Sequence, residues 1–215
     1  MQVLKRNQVE EAISRLWEPK AQEPTPELRT KLKRLLEADR NLGRTLRSRD
    51  AEVSNYAFYS DEAPGSGVEN WFSEYEAFAL FMALQIMAHG WTQGFAVSVL
   101  RRLRNELERK HSQILKMDET VLFDQDAIRR NAKPGDFAFN TTFPVLLTII
   151  SLGVSDANET PLCSICDGVA KTMRWVQEKT GGKHFGFTMF ELVSPIFALN
   201  KNLAQSLPRP RGRPG

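Results

Sequence analysis

Apolar residues recur at helical spacing through the first fifty positions of the chain. The first such pattern predicts an amphipathic helix over 7–17, and the second predicts a longer helix over 26–42. The stretch 18–26, which leads into the second helix, contains three prolines and predicts a loop. A Thr-Pro pair suits the start of the second helix, and Gly43 suits its end.

A β-hairpin followed by a buried helix is predicted next. Residues 55–60 and 68–72 are two short, aromatic-rich stretches, and the turn-forming residues between them predict a loop. Ser73 and Glu76 then have the Ser-x-x-Glu form of a capping box, which marks the start of a helix. From 75 to 88 only two residues are polar, so we expect this helix to be buried on most of its sides.

A second helix of the same region carries one apolar seam and many cations. Gly90 suits the turn before this helix, and Thr92 can cap its start. Because a helix buries one stripe, we expect the cations on its other faces to be exposed. Those cations are Arg101, Arg102, Arg104, Arg109 and Lys110. In the order of the chain, this helix is a brace and a link to the C-terminal half.

The C-terminal half has a mixed pattern, and we expect a boundary near residue 117. A continuous apolar run over 143–154 predicts a buried strand. The remaining pattern predicts helices over 123–132, 166–180 and 195–207 and a strand over 185–193. The expected domains are therefore 1–117, an α+β dimerisation or sensing domain over 118–206, and a disordered basic tail over 207–215.

Charge is concentrated locally rather than spread over the chain. The net charge of the 215 residues is only +3, which by itself does not indicate a nucleic-acid partner. Between residues 27 and 50, however, the sequence contains eight cationic and four anionic side chains. The candidate DNA contacts among these cations are Arg29, Lys33, Arg34, Arg40, Arg44, Arg47 and Arg49. A solvated helix face is the alternative explanation of the same cluster.

No apolar run is long enough to span a bilayer, and the first residues lack the apolar segment of a secretory signal. We therefore expect a cytoplasmic protein without a membrane partner. Two cysteines, Cys163 and Cys166, are too few for a disulfide framework. They could form a redox pair or, with His184, half of a zinc site, but two small buried residues are the more ordinary explanation.

The N-terminal half resembles the MerR-type winged-helix regulators over about residues 5–115. The resemblance rests on Val-Glu-Asn-Trp-Phe-Ser at 68–73, as the exit of a wing, and on His-Gly-Trp-Thr-Gln-Gly-Phe at 89–95, as the turn of a helix pair. It implies a winged helix-turn-helix in which the helix over 26–42 enters the major groove and the hairpin lies against the phosphates. The implied fold class is mainly α, with a small α+β part after the winged domain.

A second DNA-related motif ends the chain. Arg209-Pro-Arg-Gly-Arg-Pro is similar to the AT-hook, whose core corresponds to residues 211–214. In such a segment Gly212 lets the backbone lie on the groove floor, and Arg211 and Arg213 run along a narrow A/T-rich minor groove. A disordered Arg/Pro tail that only aids solubility is the alternative.

These patterns favour a DNA-binding protein, expected to be a transcriptional regulator of double-stranded DNA that could act as a homodimer. No nucleophile-and-base spacing, phosphate-binding loop or carboxylate cluster indicates an enzyme, a cofactor or a metal. An acidic wing loop, with Asp61 and Glu62, supports a different class: a winged-helix-shaped adaptor that binds protein rather than DNA. A thiol or metal function of the two cysteines is the third possibility.

Overall fold

The computed structural model describes residues 3–63, 70–132, 134–135, 137–151, 162–181 and 186–208. Within these ranges the chain is mainly helical with a small antiparallel β part, which confirms the coarse fold class. In chain order the elements are β1 (Leu4–Lys5), α1 (Arg6–Trp17), α2 (Pro26–Leu42), α3 (Ala51–Ser54), β2 (Trp71–Phe72), α4 (Glu74–Ala88), α5 (Gln93–Ile114), α6 (Glu119–Leu122), α7 (Gln125–Asn131), β3 (Val145–Ser151), β4 (Leu162–Asp167), α8 (Val169–Thr180), β5 (Gly186–Glu191) and α9 (Val193–Gln205).

The chain divides into two compact units. The first unit contains the described residues of Met1–Arg104 and Ala198–Gly215, and the second unit is Asn105–Phe197. The C-terminal part of α9 therefore belongs with the N-terminal helices. These units do not coincide with the expected ranges 1–117 and 118–206.

The helix α4 is the buried centre of the first unit. Ser73 Oγ accepts a hydrogen bond from the Glu76 amide at 3.2 Å, and Glu76 Oε2 accepts one from the Ser73 amide at 2.7 Å, so the predicted capping box is confirmed. Eleven of the fifteen residues of α4 are buried, as its apolar sequence predicts. No helix in the described ranges combines the length and the apolar character needed to cross a bilayer.

The helix α2 also begins and ends where the sequence predicts. Thr25 Oγ1 accepts a hydrogen bond from the Leu28 amide at 3.2 Å, and Pro26 occupies the first turn, where a missing amide hydrogen costs nothing. Gly43 follows the last turn with φ of 61°, a conformation that glycine adopts without strain. One stripe of α2 is buried, and its members are Leu28, Leu32, Leu35, Leu36 and Asp39.

The predicted hairpin differs from the structure. Residues 55–60 form no strand. The strand β2 instead pairs antiparallel with β1 at the start of the chain, with Leu4 opposite Phe72 and Lys5 opposite Trp71. The middle of the expected hairpin, residues 64–69, lies outside the described residues. The wing implied by the MerR resemblance therefore has no counterpart in the described part of the chain.

The second unit is built on a three-stranded antiparallel sheet with the order β4-β3-β5. The central strand β3 is buried along almost its whole length, which confirms the predicted buried strand. Cys166 and Cys163 lie on β4, opposite Leu146 and Ile149 of β3. The predicted helix over 166–180 therefore starts later, at Val169, because β4 continues through Asp167.

Candidate nucleic-acid interface

The cations of α2 lie on the faces that its buried stripe leaves to solvent. Arg29, Lys33 and Arg34 are all exposed. Because residues four positions apart share a helix face, Arg29 and Lys33 are neighbours, while Arg34 points about 100° away from Lys33. The helix thus presents positive charge on more than one side.

Part of this charge is neutralised by carboxylates. Lys33 Nζ lies 3.7 Å from Glu37, and Lys31 Nζ lies 2.7 Å from Glu27. The hydrogen bond from Lys31 holds the pKa of the Glu27 carboxyl below its ordinary value. Exposed pairs of this kind are weak because water and salt screen them, so a phosphate group can replace the carboxylate at little cost.

The predicted cations after the middle of α2 divide into two groups. Arg47 and Arg49 are exposed in the loop that follows the helix. Arg44 is instead held within the unit, since it donates to the Ser60 carbonyl at 3.2 Å and its guanidinium lies 5.3 Å from the Tyr56 ring centre. Arg40 is half-buried. Five of the seven predicted contacts on this surface are therefore exposed.

The C-terminal segment is fixed against α1, in the same unit as α2. Gln8 Nε2 donates to the Ser206 carbonyl at 2.8 Å, and Asn7 Nδ2 donates to the Leu207 carbonyl at 3.1 Å. Ser206 is buried. The last described residue is Pro208, and the predicted hook residues Arg209, Arg211, Gly212 and Arg213 lie outside the described residues. The structure thus describes the chain up to the residue that precedes the hook.

A carboxylate on α1 connects the segment's anchor with α2. Glu10 Oε1 lies 2.7 Å from Arg6 Nε, and Glu10 Oε2 lies 3.8 Å from Arg29 Nε. Glu10 is within one helical turn of Asn7, which binds residue 207. Asn7 and Glu10, which contact Leu207 and Arg29, are therefore neighbours on one face of α1.

Arg101 and Arg104 of α5 are buried, contrary to the prediction that they are exposed. Arg101 is 3% exposed, and its Nε donates to Asp39 Oδ1 at 2.6 Å. Its Nη1 donates to the Gly43 carbonyl at 2.9 Å. The sequence does hold one indication of this pair, because Asp39 falls on the apolar stripe of α2. An acid at a core position indicates a buried cation elsewhere in the chain.

Arg104 holds the segment that was predicted to be a strand. Its Nη1 donates to the carbonyls of Tyr56, Ala57 and Tyr59 at 3.0–3.1 Å. Its guanidinium also lies 3.6 Å from Glu76, in the capping box of α4. These arginines cannot contact DNA, and α5 is a brace, as its place in the chain suggests.

The strand β4 keeps the two cysteines apart. Side chains alternate along a strand, so Cys163 and Cys166, three positions apart, point to opposite faces of the sheet. Their separation of about 10 Å along the strand exceeds the Cα distance that a disulfide allows. His184, the third expected ligand, lies outside the described residues. In the described part of the chain, no cluster of three or more histidine, cysteine or acidic residues suits a metal ion.

No protein-family model matches the chain, and no curated protein or solved structure is significantly similar to it. The MerR resemblance therefore stays a prediction. The features that bear on function are the exposed cations of α2 and the anchored C-terminal segment.

Proposed function

We propose that the protein binds double-stranded DNA through two basic elements of its first unit. The first element is the exposed surface of α2 and the loop after it, with Arg29, Lys33, Arg34, Arg47 and Arg49. The second is the hook-like tail. The observation that carries the proposal is the hydrogen bonding of residues 206–207 to α1, because it tethers the tail to the unit that bears α2.

The two elements would contribute different chemistry. In this proposal α2 lies along the major groove, where its cations contact phosphates and fix the position of the protein. The arginines of the tail, Arg211 and Arg213, enter the minor groove, where A/T-rich sequence concentrates negative potential. The tail therefore supplies a base preference that phosphate contacts lack.

Tethering explains how two weak elements give useful affinity. A short basic segment alone binds DNA weakly, but its local concentration is millimolar or higher once α2 is bound nearby. The stretch from Pro208 to Arg211 is short, so little conformational freedom is lost on binding. This arrangement suits a transcriptional regulator of A/T-rich DNA, without the phosphate contacts of a wing.

The direct test is binding of the full chain to two labelled duplexes of equal length, one A/T-rich and one G/C-rich. Fluorescence anisotropy at low salt should give a lower Kd for the A/T-rich duplex. Raising the salt should weaken both complexes along a straight line in log K against log salt, because counterions are released from the phosphates. Absence of binding to either duplex at low salt would refute the proposal.

A second candidate function is a protein-interaction module. Apolar side chains are exposed in and around the same loop: Leu42 is 63% exposed, Leu46 is 68% exposed and Val53 is 42% exposed. The loop is closed by a hydrogen bond from the Thr45 amide to the Val53 carbonyl at 2.9 Å. Exposed leucines beside arginines suit a partner that is both acidic and apolar better than they suit phosphates. Absence of DNA binding would favour this candidate.

A further inference from the structure

A small apolar groove lies within the second unit, and none of its lining residues belongs to the proposed DNA surface. Its walls come from the end of α5 and the start of β3, and they comprise Ile114, Met117, Phe143, Pro144 and Val145. The volume is about 360 Å³, near the lower end of the range for small-molecule sites. We call it the Phe143 groove.

The Phe143 groove leaves apolar surface exposed to water. Phe143 is 56% exposed and Met117 is 38% exposed, whereas Ile114 and Val145 form a buried floor. A phenylalanine left half in water beside an apolar floor is stabilised by any apolar group that covers it. The apolar part of an occupant would therefore lie between Phe143 and the floor.

An ion pair forms the polar rim of the groove. Lys110 Nζ lies 2.6 Å and 2.8 Å from the two carboxylate oxygens of Asp167. The Lys110 side chain is 15% exposed and that of Asp167 is 49% exposed. An ammonium group has three donors, so one remains for an occupant, and the carboxylate retains further acceptor positions.

The charge balance of this rim selects the chemistry of the occupant. The rim carries one cation and one anion and is neutral as a whole. A ligand anion is attracted by Lys110 but repelled by Asp167, and the reverse holds for a ligand cation, so a charged ligand gains little net attraction to offset its desolvation. A carboxamide avoids this cost, since its oxygen accepts from Lys110 and its N–H donates to Asp167.

We propose that the Phe143 groove binds an uncharged amphiphile, with an aromatic or branched aliphatic body against Phe143 and Ile114 and a carboxamide on the Lys110–Asp167 pair. The site shares no residue with the proposed DNA surface and does not depend on DNA binding. It gives the second unit a ligand-binding function of a defined chemical class.

Three probes of matching shape test the proposal on the full chain. Phenylacetamide, phenylacetate and phenethylamine share a ring and a similar short chain, but they are neutral, anionic and cationic. Each is titrated at neutral pH while the backbone amide resonances of Val145 and Gly168, which line the groove, are followed by NMR. Phenylacetamide should bind about tenfold more tightly than either charged probe. Absence of shifts at these amides with all three probes, or an equal response to all three, would overturn the proposal.

Two substitutions should change which of the three probes binds most tightly. Asp167→Asn leaves Lys110 unopposed, so phenylacetate should become the tightest probe. Lys110→Met leaves Asp167 unopposed, so phenethylamine should become the tightest. The exposed residues Lys116 and Asp126 provide matched controls as Lys116→Met and Asp126→Asn, which should leave the order unchanged. An unchanged order in both rim variants would overturn the assignment, and the wild-type comparison stands even if a variant fails to fold.

Discussion

Arg101 of α5 donates through Nε to Oδ1 of Asp39 on α2 at 2.6 Å, and both side chains are buried. The same carboxylate accepts hydrogen bonds from the amides of Ala57 and Phe58 at 3.1 and 3.0 Å. One buried acid therefore joins two helices and the segment that follows α3. This network holds α5 and residues 57–58 against α2, the basic helix of the first unit.

Removal of the Asp39 carboxylate should destabilise the first unit severely. Asp39→Ala leaves the Arg101 charge buried without its partner, and breaking such a pair costs about 3–5 kcal/mol. Urea denaturation measures the loss. Replacing both residues, with Asp39→Leu and Arg101→Met, should not restore stability, although apolar replacement often does. The amides of Ala57 and Phe58 would still lack an acceptor. A double variant as stable as the wild type would contradict this account.

The buried and exposed arginines of α5 should differ sharply in their effect on stability. Arg104→Met removes the donor to three buried carbonyls and the guanidinium that lies 3.6 Å from Glu76, so the free energy of unfolding should fall by about 3–5 kcal/mol. Arg109 is largely exposed, with Glu106 at 4.0 Å. Arg109→Met should therefore cost less than about 1 kcal/mol. Similar losses in the two variants would show that Arg104 does not support the 55–60 segment.

Acid should weaken the second unit through His111. Burial lowers the pKa of His111 to about 4, from an ordinary value of 6.5. Between these values the unfolded chain binds a proton that the folded chain excludes, so stability is full above pH 6.5 and falls as the pH decreases towards 4. The loss over this window is about 3 kcal/mol.

The pH dependence of stability in His111→Gln isolates this effect. The free energy of unfolding is measured for the wild type and the variant at neutral pH and at about pH 4.5. Carboxyl groups that titrate in this range are common to both proteins, so their contribution cancels when the two pH-dependent losses are subtracted. Among these is Glu191, where burial raises the pKa of the carboxyl and acts in the opposite direction. The variant should lose less stability in acid than the wild type. Parallel pH profiles would contradict the buried neutral histidine.

Local sequence patterns predict the parts of this fold that local chemistry determines. The Thr25 cap, the Ser73 capping box and the apolar faces of α4 and β3 each depend on residues close together in the sequence. The structure agrees with all of them. Their residue types satisfy backbone groups or bury a face wherever the rest of the chain lies.

The 55–60 segment could not be predicted in the same way. Its aromatic residues favour a strand, but its backbone groups bind Asp39 and Arg104, which are 18 or more positions away in the sequence. Such side-chain partners satisfy the backbone without a neighbouring strand. Only Asp39, polar on an apolar stripe, indicates that a distant cation is needed.

The candidate interface was predictable in composition but not in arrangement. The exposure of Arg29, Lys33 and Arg34 follows from helical periodicity. The pairing of Arg29 with Glu10 on α1 and the anchoring of the segment before the tail depend on contacts between distant parts of the chain. The sequence therefore indicates two separate basic elements. In the structure, α2 and the residues that precede the tail belong to the same unit.

The central claim is that α2 and the tail bind one DNA duplex together. Its most direct test is the salt dependence of binding to an A/T-rich duplex for the wild type, Arg29→Ala/Arg34→Ala and Arg211→Ala/Arg213→Ala. Arg109→Ala/Arg129→Ala is the matched control of exposed arginines in the second unit. Each pair in the first unit should reduce the slope of log K against log salt by roughly two, and the control should not change it. Only the tail pair should abolish the preference for A/T-rich DNA. Equal slopes for the wild type and both first-unit variants would contradict the claim.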